Sequence, residues 1–393
     1  MRKNKYINNE SFAVILTYGI GENALGIIRS LGANNIPIIV VGVKGHLNLA
    51  SKSKYCDQLI EIDDVSSDSM LQVLDDIADS SNRKNILFID NCYMINILNE
   101  YEDHLKTIYY LTQSFKNLTD KTNQNKIATL SGLSVPSTWT ANTWNELEDK
   151  IPSNISLIAK PNFINAEKPF KLILSSNYYD MKNKISKHVD SPQNILFQEY
   201  IEGEQDDVWV SLGYKSIDSN FFIGMTAVKH TMFPTHGGVM AIGKTILSEK
   251  ILELSKVFLS KLDYDGIFGL EFKYCKKRRE FYYIEMSPRT EGFHNITNLV
   301  GIDLPLIAYN DLVRKKTFNG DIVYYDKYWL NIRYLLFTLI QKRTIKEIFR
   351  SIKVFFKIRA FQHFSFTDIK PFVFANKYLF KLIIKKMKGL FER

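Results

Sequence analysis

Two glutamates in a predicted hairpin are the side chains best suited to chemistry. Residues 266–289 read GIFGLEFKYCKKRREFYYIEMSPR, two apolar-aromatic strands around the polar run 276–280. If the hairpin is centred on Arg278, then Glu271 and Glu285 lie seven residues on either side and face each other. Facing carboxylates repel, so a compensating partner is expected. A divalent cation with oxygen ligands, Mg²⁺ or Mn²⁺, is one such partner.

Strand alternation predicts which side chains share a face of this hairpin. The predicted core face holds Leu270, Phe272, Ile284 and Met286, and the other holds Glu271, Tyr283, Glu285 and Ser287. Arg289 follows at the strand end, where its planar fork could meet phosphate or carboxylate. The hairpin alone equally allows two solvated glutamates beside Lys273.

The elements before the hairpin predict an α/β protein. Buried strands at 12–17, 36–43 and 86–90 alternate with helical stretches, which favours a parallel, doubly wound sheet in a first unit at 11–115. The turn Gly19-x-Gly21 with Gly26 is not the dinucleotide fingerprint, because its third glycine is late and no acidic residue ends the second strand. A tight strand-to-helix turn is the favoured interpretation over a phosphate site.

Charge and cysteine usage restrict the functional class. The net charge is +9, but residues 314–393 carry 19 Lys and Arg against 5 Asp and Glu, or 19 − 5 = +14, which leaves 9 − 14 = −5 for the rest. Three scattered cysteines, Cys56, Cys92 and Cys275, argue against a disulfide framework or structural zinc and fit a reducing cytoplasm. No run reaches the roughly 18 apolar residues of a membrane span.

The hairpin resembles the metal-binding end of ATP-grasp enzymes, in which a Glu on one strand is followed by Glu-x-Asn-Pro-Arg on the next. Here the second strand ends Glu285-Met286-Ser287-Pro288-Arg289. The chain is similar in particular to the ATP-grasp ligases of surface-polysaccharide gene clusters. The resemblance implies an α/β (α+β) ATP-grasp fold with a Rossmann-like pre-ATP-grasp domain at 11–115. It implies a small, lid subdomain at 116–200, a large subdomain with the metal site at 201–312, and a basic, largely helical extension at 313–393.

Further segments fall in the family's order. Asp120 and Lys121 begin a helix resembling the one that carries the family's first ATP lysine, and Lys160 in LIAKP resembles the lysine that reaches the α and β phosphates. The run QEYIEGE resembles the hinge. The resemblance implies that the backbone of Glu199, Tyr200 and Ile201 pairs with adenine, beside Gln198, and that Glu204 holds the ribose hydroxyls. The implied metal ligands are Glu271, Glu285 and Ser287.

Two departures from the family pattern bear on activity. Ser287 stands where the third metal ligand is usually Asn. The segment after Lys160 lacks the glycines that let lid N–H groups close over phosphate, and Lys168 and Lys171 could substitute as point charges. Either departure would suit a slow enzyme or a non-catalytic relative.

The remaining site candidates surround the predicted phosphate end. Lys229 and His236 are predicted to face the acyl substrate and the γ-phosphate, with Arg289 stabilising charge. His230 is as well explained as a core histidine. Glu291 and His294 are expected to line the acceptor pocket.

The resemblance implies an ATP-dependent ligase that forms an amide bond between a carboxylate and an amine, such as an amino acid, through an acyl phosphate, in surface polysaccharide modification. The alternative is an ATP-binding scaffold or regulatory protein of a glycan pathway. A nucleic-acid-binding protein would rest on the basic tail alone, and we expect no nucleic-acid partner. We expect a cytoplasmic protein.

The tail combines apolar and basic residues at helical spacing in two segments, 344–358 and 377–391. Such a helix can lie in an anionic membrane interface, which predicts peripheral contact with the inner membrane face. Packing of the apolar stripes on the ATP-grasp core is the other reading.

Overall fold

A computed structural model describes residues 11–115, 120–162, 170, 172–217, 221–235, 237–342 and 354–377. The first unit is a parallel sheet of five short strands in the order β3-β2-β1-β4-β5. Its strands are β1 Ala13–Leu16, β2 Ile38–Val43, β3 Gln58–Ile62, β4 Asn85–Ile89 and β5 Tyr109–Leu111, and its helices are α1 Glu22–Ala33, α2 Ser67–Asp79, α3 Cys92–Leu98 and α4 Glu102–Ile108. The apolar runs are buried on both faces, as parallel strands require, and the predicted doubly wound sheet is confirmed.

A small antiparallel sheet follows, in the order β6-β9-β7-β8. Its strands are β6 Thr138–Trp139, β7 Leu157–Pro161, β8 Ile173–Ser175 and β9 Ile195–Glu199, accompanied by α5 Lys121–Leu130, α6 Trp144–Lys150 and α7 Tyr178–Ile185. Asp120 caps α5 by accepting hydrogen bonds from the N–H groups of Thr122 and Asn123, and Gly132 past its end has a φ of 76°. The capping residues read from the sequence therefore begin and end this helix.

The largest sheet has seven strands in the order β14-β13-β10-β11-β12-β15-β16. They are β10 Val208–Lys215, β11 Phe222–Phe233, β12 Val239–Thr245, β13 Gly266–Cys275, β14 Glu280–Ser287, β15 Tyr328–Leu330 and β16 Ile358–Phe361, with helices α8 Glu249–Lys261, α9 Leu304–Leu312 and α10 Ile332–Lys342. Short 3₁₀ segments occupy Ala50–Lys52, Asn99–Tyr101, Gln205–Asp207 and His294–Val300. The strands β15 and β16 extend this sheet into the tail, where α10 and a helix at 370–377 also lie. The largely helical extension at 313–393 stays a prediction.

One hydrophobic core joins the first unit to the seven-stranded sheet. It contains Ile15 and Ile28 from the first unit, Leu212 and Met225 from the large sheet, and Tyr309 of α9. The far face of the large sheet packs on α5 and α8. The carboxyl edge of the parallel sheet is therefore held in place relative to the β13–β14 hairpin.

The tail also contacts the first unit through polar groups. The Asp368 carboxylate accepts hydrogen bonds from Arg29 Nε at 3.0 Å and Ser53 Oγ at 2.8 Å. Arg333 of α10 and His363 both face the Glu22 carboxylate at the start of α1. The two predicted amphipathic segments, 344–358 and 377–391, fall mostly outside the described residues. None of the helices in the described ranges is both long and apolar enough to cross a bilayer.

Candidate active site

The β13–β14 hairpin sets Glu271 directly opposite Glu285, as the sequence spacing predicts. Both residues, together with Ser287 and Glu291, line a small pocket between the hairpin and β10. Across the chain ranges that the structure describes, no group of three His, Cys, Asp or Glu side chains is arranged to hold a metal ion. The predicted metal site therefore depends on two facing carboxylates, with the Ser287 hydroxyl beside them.

A β-bulge changes the predicted faces next to these glutamates. The ladder pairs Glu271 with Glu285 but Phe272 with Tyr283, so Ile284 is an extra residue. Tyr283 is fully buried in the core against Phe258, with ring centroids 4.9 Å apart, while Ile284 lines the cleft. The prediction was wrong for Tyr283 and Ile284, because the bulge exchanges the sides on which they lie.

Each of the two glutamates has a lysine partner. Lys229 Nζ of β11 donates to Glu271 Oε2 and lies 3.4 Å from the Gly238 carbonyl oxygen. Lys121 Nζ, at the start of α5, lies 3.8 Å from Glu285 Oε2. Burial raises the pKa of Glu271; Lys229 lowers it and Glu285 raises it further. The two carboxylates thus lie next to lysine ammonium groups, which are suited to binding phosphate.

Lys160 is a buried cation of the site. It lies on β7, and its Nζ donates to the Ile284 carbonyl at 3.4 Å. Burial lowers the pKa of Lys160 to about 8, with Lys121 acting in the same direction and Glu285 and Glu271 opposing it. The Lys160 ammonium is therefore close enough to both glutamates to interact with them, and it begins to lose its proton slightly above neutral pH.

The cleft between the small sheet and the large sheet gathers residues from distant segments. It is lined by the predicted metal ligand Glu271 and by all the predicted nucleotide residues except Lys121, namely Lys160, Gln198, Glu199, Tyr200, Ile201 and Glu204. Apolar walls are supplied by Pro136, Ile158, Ile201, Val208, Met232 and Ile284. The cleft combines flat apolar surface with cations at its inner end, an arrangement that suits a heteroaromatic base joined to phosphates.

The predicted hinge is partly committed to the protein's own hydrogen bonds. The Glu199 N–H donates to the Ser137 carbonyl at 2.9 Å, and the Tyr200 N–H donates to the Ser156 carbonyl at 2.8 Å. The Gln198 side chain donates to Thr138 Oγ1 at 3.0 Å. The N–H groups of Glu199 and Tyr200 therefore already have acceptors within the protein, and adenine pairing by the backbone from Glu199 to Ile201 stays a prediction.

The far end of the hairpin holds this hinge. Arg278 in the turn bonds the Glu199 carboxylate and donates to the Tyr282 hydroxyl at 3.0 Å. Lys273 lines the cleft and donates to the Glu204 carbonyl at 2.6 Å. Strand alternation could have identified Lys273, which lies two residues after Glu271. The Arg278 contact has no sequence signal, because it joins segments 79 positions apart.

Arg289 points away from the cleft toward the carboxyl edge of the parallel sheet. Its Nε donates to Cys92 Sγ at 3.1 Å, and its Nη1 donates to the Thr290 carbonyl at 2.9 Å and lies 3.3 Å from Glu291 Oε2. Ser287 and Glu291 line the same small pocket as the facing glutamates. Arg289 therefore joins Cys92 of the first unit to Glu291, a residue that lines the small pocket beside the facing glutamates.

His294 fills a packing position instead of the predicted acceptor pocket. Its imidazole lies so close to Gly26 of α1 that a Cβ there would approach His294 Cε1 to 2.3 Å. Burial lowers the pKa of His294 to about 4, so the ring is neutral near pH 7. The late glycine of the first turn therefore makes room for this histidine.

Two other histidines and two lysines complete the list of predicted residues. His230 makes an edge contact with Tyr328, with ring centroids 5.6 Å apart, as a packed histidine would. His236, Lys168 and Lys171 lie outside the described residues. The neighbours of His236, Thr235 and Gly237, line the cleft.

Asp90 is a candidate that the sequence reading passed over. It follows β4 at the carboxyl edge of the parallel sheet, where it accepts hydrogen bonds from Thr17 Oγ1 at 2.7 Å and the Ala24 N–H at 3.1 Å. Burial raises the pKa of Asp90 to about 6, and Arg289 opposes that rise. Its position at the carboxyl end of a predicted parallel strand could have identified Asp90 as a site candidate from the sequence.

No protein-family profile and no curated protein matches the chain. Solved structures do match it. One is an ADP complex of N5-carboxyaminoimidazole ribonucleotide synthetase, with a TM-score of 0.61 and 13% identity over 83% of this chain and 82% of that one. An L-amino acid ligase from Bacillus licheniformis has a TM-score of 0.57 and 13% identity over 77% of this chain and 74% of that one.

A biotin carboxylase from Campylobacter jejuni, complexed with a β-γ-ATP ligand, has a TM-score of 0.57. Its identity is 17% over 79% of this chain and 72% of the other. At these identities the likeness bears on the fold alone. Together with the parallel first sheet, the small antiparallel sheet and the mainly antiparallel large sheet, it shows that this chain has the ATP-grasp fold.

Proposed function

We propose that this protein uses ATP and Mg²⁺ to join a carboxylate to an amine, forming an amide bond through an acyl phosphate. The observation that carries the proposal is the composition of one cleft. Lys160, the hinge 198–204 and Glu271 come from three separate segments and line it together. The buried Lys160 and the Lys229–Glu271 ion pair give this apolar cleft a charged inner end, which suits a charged ligand.

The residues present fit both a nucleotide and a hard divalent cation. Apolar walls from Ile201 and Ile284 suit an adenine ring, and the oxygen-only donor set of Glu271 and Glu285 suits Mg²⁺ or Mn²⁺. When bound, the ion would neutralise charge on the phosphates. Ser287 is the third oxygen donor that we propose for it.

The chain's own cations have separate proposed roles. Lys160 and Lys121 bind phosphate oxygens, since both face Glu285 from the nucleotide side. Lys229 and Arg289 stabilise negative charge at the reacting end, where Lys229 contacts Glu271 and Arg289 borders Glu291. His236 is proposed to act beside Lys229.

At the opposite end of the cleft, recognition of the base and sugar is proposed for the hinge. The Ile201 N–H donates a hydrogen bond to adenine, and the Glu204 carboxylate accepts hydrogen bonds from the ribose hydroxyls. The Glu199 and Tyr200 N–H groups keep the hinge strand in place, since they already bond Ser137 and Ser156.

The reaction class is also favoured by the kinds of enzyme that share the fold. An L-amino acid ligase and an N5-carboxyaminoimidazole ribonucleotide synthetase are among them. We propose an amino acid or another small amine as the acceptor, and a carboxylate belonging to a surface polysaccharide or its precursor as the donor. A precursor carried on a membrane lipid would bring this cytoplasmic protein to the inner membrane face.

Phosphate release from ATP tests the proposal. A panel of carboxylates and amines, including uronic acids and amino acids, should contain a pair that stimulates release above ATP alone. The Glu271→Gln/Glu285→Gln variant should lose that stimulation, while Glu253→Gln on the outer face of α8 should keep it. ADP binding without stimulated release by any pair would instead favour the non-catalytic scaffold.

A further inference from the structure

The tail presents apolar side chains to solvent at residues 366–377. Phe366 is 91% exposed, Val373 57% and Ile369 42%. The Phe364 ring lies 4.7 Å from the Phe366 ring and 5.3 Å from the Phe372 ring, measured between centroids. The Phe364 ring therefore links Phe366 to the helix at 370–377, which follows Ile369 directly and carries Val373.

Lysines share the same exposed stripe. At 100° per residue, Ile369, Lys370, Val373 and Lys377 fall within an arc of roughly 100°, and all four are exposed. We call Phe366, Ile369, Lys370, Val373 and Lys377 the tail surface. Its apolar and basic residues alternate along one face.

The surroundings of the tail surface are positive as well. Asp368 is the one acidic residue between 360 and 377, and it is buried against Arg29 and Ser53. Lys52 and Lys54 of the first unit are exposed beside the tail: Lys52 Nζ lies 5.3 Å from the Phe374 ring centroid, and the Lys54 N–H donates to Asp368. The face is therefore apolar and cationic, without a compensating carboxylate from the tail.

We propose that the tail surface docks the protein on an anionic lipid bilayer. Aromatic and aliphatic side chains would enter the interface, and the lysines would meet the headgroups. The sequence that continues from Lys377, YLFKLIIKKMKGLF, has the same combination. A protein partner fits less well, because the cores of protein interfaces are depleted of lysine. The docking does not depend on the ligase reaction.

Vesicle sedimentation of the full chain tests this docking. Binding is expected to vesicles that contain phosphatidylglycerol, to be absent with phosphatidylcholine alone, and to fall at high salt. The Phe366→Ser/Val373→Ser variant should bind at least about tenfold more weakly, since burial of such side chains drives insertion. Lys370→Glu/Lys377→Glu should weaken binding too.

Matched control variants distinguish binding through the tail surface from nonspecific vesicle adsorption and from effects on nucleotide binding. Leu130→Ser removes a 70% exposed apolar residue on α5, and Lys256→Glu reverses an exposed charge on α8; both should bind vesicles as the parent does. ADP binding should be equal in all variants. Unchanged vesicle binding by the Phe366/Val373 variant, or binding by none of the proteins, would overturn the proposal.

Discussion

Lys229 forms an ion pair with Glu271, which lines the cleft, and their side chains are 6% and 20% exposed. The pair joins β11 to β13 across β10 and lies next to Glu285. Lys229 offsets the burial of Glu271, so a cation already compensates one of the two facing carboxylates. Binding of a metal ion would therefore compete with, or rearrange, this contact.

Glu271→Gln should separate the structural role of this pair from its metal role. Breaking a buried ion pair from one side leaves the other charge uncompensated, so the free energy of unfolding should fall by about 3 kcal/mol. Lys229→Met/Glu271→Met should recover most of that stability. Mn²⁺ affinity in the presence of ADP should remain at least about tenfold weaker in both variants, since a carboxylate ligand is lost. Denaturant unfolding and Mn²⁺ titration measure the two effects, and Mn²⁺ affinity equal to the parent's would remove Glu271 from the metal site.

Nucleotide affinity should depend on pH through Lys160. Its pKa is lowered to about 8, so the free protein loses this ammonium as pH rises through that value, and phosphate binding then requires proton uptake. The ADP affinity should fall by up to about tenfold per pH unit above pH 8. At pH 7, the Lys160→Ala variant should bind ADP at least roughly tenfold more weakly than the parent, because it loses one charged hydrogen bond.

Calorimetric measurement of ADP affinity from pH 7 to about pH 10 checks this prediction. A lysine with the ordinary pKa of about 10.4 would leave the affinity constant over most of that range. Lys160→Arg keeps its charge throughout and should abolish the slope. A flat profile for the parent, or unchanged affinity in Lys160→Ala, would contradict the role of Lys160.

The hairpin shows what sequence spacing can and cannot predict. Period-two alternation and a short polar turn were enough to set Glu271 opposite Glu285. The bulge at Ile284 could not be predicted from the sequence. It accompanies a hydrogen bond from the Tyr283 hydroxyl to Gln124, a residue 159 positions away. Long-range contacts of this kind leave no local pattern.

Details of the hinge and of the tail could not be read from the sequence for a similar reason. The hinge segment was found, but the engagement of the Glu199 and Tyr200 N–H groups depends on carbonyls of Ser137 and Ser156 in other loops. In the tail, the three-residue strand Tyr328–Leu330 is too short for alternation to be recognised and is fixed by its pairing with β12 and β16.

Arg278 should position the hinge without contacting the nucleotide. Its guanidinium bonds Glu199 from the hairpin turn, while its side chain is 48% exposed. Arg278→Gln should therefore weaken ADP binding by about fivefold and lower the free energy of unfolding by less than about 1 kcal/mol. Lys277→Gln in the same turn is the control, and equal ADP affinities for the two variants would exclude the positioning role.

Gln124 should hold the bulge that presents Glu285. Its Oε1 accepts hydrogen bonds from the Tyr283 hydroxyl at 2.8 Å and the Met286 N–H at 3.1 Å, and its Nε2 donates to the Met286 carbonyl at 3.3 Å. Gln124→Met removes all three bonds in a buried site, so the free energy of unfolding should fall by about 3 kcal/mol and Mn²⁺ affinity should fall with it. Tyr283→Phe removes one bond and should cost about 1 kcal/mol while leaving Mn²⁺ affinity unchanged. Equal losses of stability in the two variants, or full Mn²⁺ affinity in Gln124→Met, would show that the bulge is held by other contacts.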